Sequence, residues 1–80
     1  MDKILVVDDE RSMRDFLSIM LKKTGYDVTT AVDGEEAVKI LHKDIFDLVI
    51  TDLKMPKVDG LQVLKTVKEL SPDTVVIVIT

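Results

Sequence analysis

"FDLVITDLKMPKVDG" (46–60) changes character halfway along. Its first six residues, 46–51, read as a short buried strand ending at Thr51, and Asp52 follows at once. Leu53-Lys54-Met55-Pro56 then neither extends a strand nor starts a helix, because a proline disfavours helical geometry in the residue before it. An acid therefore stands at the tip of an apolar strand, in a loop that the proline keeps from winding up. Such a placement needs partners for the acid, and they occur near the beginning of the chain.

Working outward, "KILVV" (3–7) and "TVVIVIT" (74–80) are further short, nearly continuous apolar runs rich in β-branched residues. Runs of this kind suit strands covered on both faces, as in a parallel sheet. "YDVTTA" (26–31) alternates and carries polar residues, which predicts an edge strand. Helical patterns separate the strands. Met13, Phe16, Leu17, Met20 and Leu21 recur at i, i+3, i+4, i+7 and i+8, which predicts a core-facing stripe, and Gly25 supplies the stop. Asp33 with Glu36 reads as a capping box ahead of Ala37, Val38, Ile40 and Leu41. Asp59 with Gln62 repeats the device ahead of Leu61, Leu64 and Val67, and Ser71-Pro72-Asp73 ends that third helix. The order β-α-β-α-β-α-β implies parallel strands joined by right-handed crossovers. With the polar strand outermost, the expected fold is α/β, a doubly wound parallel sheet in the flavodoxin-like order 2-1-3-4.

That order reverses between strands 1 and 3, and ligands of doubly wound sheets bind at the carboxyl ends of the strands at such a reversal. Asp8 and Asp9 follow strand 1, and Asp52 follows strand 3. Three carboxylates meeting at one rim repel one another, and a cation resolves the conflict. An all-oxygen set with room for water suits Mg²⁺ or Mn²⁺ rather than zinc. Magnesium leaves positions for phosphate oxygens, so the pattern suggests phosphoryl chemistry with one carboxylate as nucleophile, and Asp52 is the best candidate.

"VVDDE", "DLVITDLKMPKVDG" and "VIVIT" together resemble the receiver domain of bacterial two-component response regulators, over all 80 residues and at the family's spacing. The wording is nearest to receivers that precede enhancer-binding transcription activators. The resemblance implies a cytoplasmic signalling module for transcription regulation, not an enzyme beyond weak autophosphatase activity. Asp52 would accept a phosphoryl group from a sensor histidine kinase and so switch an output domain. Asp9, Asp52 and the backbone carbonyl of Lys54 would ligate Mg²⁺, with Asp8 acting through a water, and Thr80 would be the switch hydroxyl. Arg11, Arg14 and Ser18 are the implied kinase-facing positions on helix 1. Receivers usually run about half as long again, so residues 1–80 match a single, incomplete receiver domain. The family's fourth helix, fifth strand, fifth helix and terminal lysine have no counterpart here. Strand 4 has the composition of a central strand, yet nothing in the chain covers its outer edge. A bare apolar edge is a template for pairing, so the chain is expected either to self-associate through strand 4 or to be incompletely ordered.

Composition narrows the field. The formal net charge of −4 argues against direct nucleic-acid binding, which wants a basic face. Without cysteine there is neither disulfide nor thiolate metal site. Apolar runs of five or six residues are far short of a membrane span. Simpler roles exist for several of the residues. Asp8 or Asp9 could cap helix 1, Asp59 reads as a cap, Met55 as packing, and His42 as a surface residue. Lys22-Lys23 suits a helix C-terminus. Two other function classes compete with the phospho-acceptor. A phosphohydrolase of the haloacid-dehalogenase type wants Asp-x-Asp at the strand tip, and Asp52-Leu53-Lys54 lacks it. An assembly or folding unit would need only the apolar edge.

Overall fold

A computed structural model describes residues 2–55 and 58–79. Pro56 lies outside that range, and with it the expectation placed on it. Seven elements follow one another: β1 (Lys3–Val7), α1 (Arg11–Lys23), β2 (Asp27–Ala31), α2 (Gly34–Leu41), β3 (Leu48–Asp52), α3 (Gly60–Leu70) and β4 (Val75–Ile79). The four strands form one parallel sheet in the order β2-β1-β3-β4, with β1 paired to both β2 and β3. The polar strand is indeed an edge.

Side-chain alternation sorts the sheet into two faces. Leu5 and Val7 of β1, Ala31 of β2 and Val49 of β3 point to one side. There they pack with Ala37 and Leu41 of α2 and Val63 and Val67 of α3 into a single core, with Val76 of β4 against it. Ile4 of β1 and Leu48 of β3 share a cleft with Leu21 of α1 and Val75 of β4 on the other side. There α1 packs on β1 and β2 alone.

That unequal coverage corrects the reading of α1. Its apolar stripe is not core: Met13, Phe16 and Met20 are exposed, Phe16 by 57%. Leu17 and Leu21 are half-buried, and Ser18 is the buried residue of the helix. The physical reason is that α1 lies over β1 and β2, and among the described residues no helix lies over β3 and β4 on that face. Val75 and Ile77 of β4 stand open beside it, Val75 by 58%. The buried face of α3 is also shifted. Val63, Thr66 and Val67 turn inward, while Leu61 is exposed and Leu64 half-buried. Thr66 fits there because its hydroxyl donates to the Gln62 carbonyl, 2.9 Å away.

Local chemistry sets the element ends. Asp33 accepts from the Glu36 amide at 2.8 Å, and Glu36 accepts from the Val32 amide at 3.1 Å. Asp59 accepts from the Gln62 amide at 3.0 Å. Gly25 follows α1 with φ of 104°, a left-handed conformation that glycine adopts without penalty. Strand β3 starts two residues later and ends one residue later than the sequence suggests, leaving out Phe46 and Asp47 and taking in Asp52. Phe46 is buried ahead of the strand, and its carbonyl accepts from the Thr74 hydroxyl.

Candidate functional site: three carboxylates at the strand tips

Asp8 follows β1 directly, and its amide still donates to the Ala31 carbonyl at 3.2 Å, so the β1–β2 pairing carries the chain right up to the acid. Alternation along β3 turns Val49 and Thr51 into the core and Asp52 to the side of α1. The carboxylates of Asp8, Asp9 and Asp52 thereby converge, with one oxygen from each lying within 4.8 Å of the others. Asp8 is buried at 4% exposure, Asp52 half-buried and Asp9 exposed. A hollow of about 120 Å³ opens beside them, lined by Asp8, Glu10, Met13, Asp52 and Ile79. A larger groove of about 550 Å³ lies between α2 and α3. It holds no such cluster of acids, and its Glu35 and Lys39 pair with each other at 3.8 Å.

Capping does not account for the acid pair. The N-cap of α1 is Glu10, which makes no side-chain cap bond. Asp8 instead accepts from the Glu10 amide at 2.9 Å, bracing the turn between β1 and α1. Arg14, one turn into α1, reaches back to donate to the Asp8 carbonyl at 2.8 Å. The family resemblance implies only an outer, kinase-facing position for Arg14. Its inward reach depends on where the helix starts, which periodicity does not specify.

The loop after Asp52 is held at both ends. The Leu53 amide donates to the Ile79 carbonyl at 2.9 Å, and the Leu53 carbonyl accepts from the Gly60 amide at 3.0 Å. The Lys54 amide lies 3.3 Å from one Asp52 oxygen, and the Lys54 side chain is exposed. Met55 is buried, as packing requires. Thr80 lies outside the described residues.

No ion pair among the described residues offsets the charge of the cluster. Among the described residues, the ion pairs join Lys3 to Asp44, Arg11 to Asp15 and Lys39 to Glu35, and none reaches Asp8, Asp9 or Asp52. Several carboxylate oxygens in one hollow, one group buried and none paired with a lysine or arginine, match what a hard divalent cation binds. The residues present fit Mg²⁺.

Comparison with known proteins gives a consistent result. The family description "Response regulator receiver domain" matches residues 4–80. The chain is 44% identical over 79 residues to a probable transcriptional regulator, ycf27, of Guillardia theta, covering 99% of this chain and 31% of that protein. It is 48% identical over 67 residues to the alkaline phosphatase synthesis transcriptional regulatory protein PhoP of Bacillus subtilis, covering 84% of this chain and 28% of that protein. The chain thus spans just under a third of the length of these curated relatives. Among solved structures, response regulator protein TrrA from Thermotoga maritima, in complex with Mg²⁺–BeF, superimposes with a TM-score of 0.86 at 40% identity. That match covers 98% of this chain and 66% of the other. Among the described residues no helix is long and apolar enough to cross a membrane.

Proposed function

Because the chain belongs to the response regulator receiver family, we propose that it is a phospho-acceptor signalling module in which Asp52 takes a phosphoryl group from a sensor histidine kinase. The observation that carries this reading is the convergence of Asp8, Asp9 and Asp52 within 4.8 Å at the strand tips. In the step, an Asp52 carboxylate oxygen bonds to phosphorus as the P–N bond of the kinase's phosphohistidine breaks, and the imidazole leaves with that electron pair. Asp9, Asp52 and the Lys54 carbonyl would hold Mg²⁺, with Asp8 contributing through water. When bound, the ion neutralises charge on the phosphoryl oxygens. Asp8 and Arg14 keep the turn between β1 and α1 in place, and the Leu53 bonds keep the Asp52 backbone fixed while charge moves. Thr80 is the proposed switch hydroxyl. Slow hydrolysis of the aspartyl phosphate by the same residues would reset the module, in the cytoplasm.

The proposed readout is a population shift. Added charge at the rim biases a two-state surface toward a form that an output domain recognises, in keeping with relatives named as transcriptional regulators. Incubation with a small-molecule phosphodonor and Mg²⁺, followed by intact mass, tests the reading. One phosphoryl adduct is expected in the wild type and none in Asp52→Asn. Turnover of the donor without any adduct would instead mark a phosphohydrolase.

A second reading rests on a different observation. The whole of β4, "VVIVI", is uncharged, and its outer edge has no partner strand among the described residues. The opposite edge strand, β2, carries Asp27, Thr29 and Thr30. That contrast supports self-association through β4 as the second proposal, because an uncharged edge does nothing to discourage pairing.

A further inference from the structure

Two glycines press against the loop that leads from Asp52 to α3, Gly60 against its start and Gly34 of α2 near its far end, and both are needed for close approach. A methyl group at Gly60 would overlap the Asp52 carbonyl oxygen and lie 2.9 Å from the Leu53 Cα. The first residue of α3 thus rests directly on the Asp52–Leu53 peptide, and its amide donates to the next carbonyl along, that of Leu53. At the other end, a methyl at Gly34 would overlap the Val58 carbonyl oxygen, 2.8 Å from the carbonyl carbon and 2.9 Å from the Val58 Cβ. Gly34 is buried and opens α2. Neither contact is relieved by turning a flexible side chain, because backbone atoms are what the methyl would meet.

The start of α2 is itself fixed. Asp33 caps it, and Ala37 and Leu41 anchor it in the core. Something must therefore give if Gly34 gains a side chain, and the loop side carries Val58 into it. We propose that Gly34 is a positioning residue for the carboxylate cluster, acting through the Val58 backbone on the loop that follows Asp52 and carries Lys54. This rests on the reading of the cluster as a Mg²⁺ and phosphoryl site. Alanine would otherwise favour a helix over glycine, so a loss at this position isolates the steric contact from helix propensity.

The test uses the full 80-residue chain. Mg²⁺ affinity is measured by calorimetry, and the rate of phosphoryl adduct formation by mass, at a temperature where circular dichroism shows every variant folded. Gly34→Ala should weaken Mg²⁺ binding about tenfold, as loss of an outer support of a metal site does, and slow adduct formation. Val67→Ala, which destabilises the core from the far part of α3, should leave Mg²⁺ affinity at the wild-type value. Wild-type affinity in Gly34→Ala overturns the inference while leaving the phospho-acceptor reading intact. Failure of the wild type itself to bind Mg²⁺ overturns both. Should Gly34→Ala not fold, amide shifts of the wild type decide. Mg²⁺ should move the Gly34 and Val58 resonances along with Leu53 and Lys54, and movement confined to the latter two rejects the coupling.

Discussion

The two phenylalanines occupy opposite situations. Phe46 is 2% exposed and sits in the core, whereas Phe16 projects from α1. Truncating a buried phenylalanine typically costs about 3–5 kcal/mol, a large share of the stability of so small a domain. Phe46→Ala should therefore leave the chain largely unfolded in urea titrations, while Phe16→Ala should change the unfolding free energy by under about 0.5 kcal/mol, as exposed positions do. A comparable loss for both would mean that Phe16 is covered in solution. The sequence did not distinguish them. Helical spacing shows which residues share a stripe, but not whether another element lies opposite that stripe. The acids were far more legible. Asp8, Asp9 and Asp52 each follow an apolar run, and parallel strands bring their carboxyl ends to one side by geometry alone. Arg14 was not legible as a support for Asp8, since its role depends on the length of one turn.

Among elements, the foot of the sheet opposite the acids has its own fastening. The Lys3 ammonium pairs with Asp44 and lies 5.2 Å from the centre of the Phe46 ring, and the Lys3 amide donates to Asp47 at 2.8 Å. The hydrogen bond from Lys3, with the Ile45 amide adding to it, holds the Asp44 carboxyl below its ordinary value of 3.8. A depressed carboxylate contributes stability above its unfolded value and loses that contribution as pH falls through the lower folded one. Lys3→Gln should thus lower the urea midpoint near neutral pH. The gap to wild type should narrow at pH below 3.8, and a gap that stays constant would refute the assignment. Caps were read correctly from sequence at Asp33 and Asp59, because an acid three residues ahead of a free amide is a purely local device. The limits of β3 were not. Whether Asp52 belongs to the strand depends on its pairing with Ile79, which lies far along the chain.

For the whole molecule, the strand order follows from two facts visible in the sequence: β2 is polar, and the connections are helical. The unequal filling of the two faces is not visible there. Among the described residues, one side of the sheet is closed by α2 and α3, while the other is closed only over β1 and β2. The exposed Met13, Phe16 and Met20 of α1 and Val75 and Ile77 of β4 belong to this open side. If β4 pairs between copies, light scattering should report a mass that rises with concentration. Ile77→Lys should abolish that rise, since an edge charge opposes pairing. A concentration-independent mass in the wild type would reject self-association through this edge.

The bond from the Leu53 amide to the Ile79 carbonyl joins the residue after Asp52 to the last residue of β4. Fraying of β4 would then loosen the acid loop before the rest of the domain melts. On gradual warming, divalent-ion capture should fade several degrees below the midpoint of the helical signal, making the outermost strand the thermal fuse of the chemistry beside it.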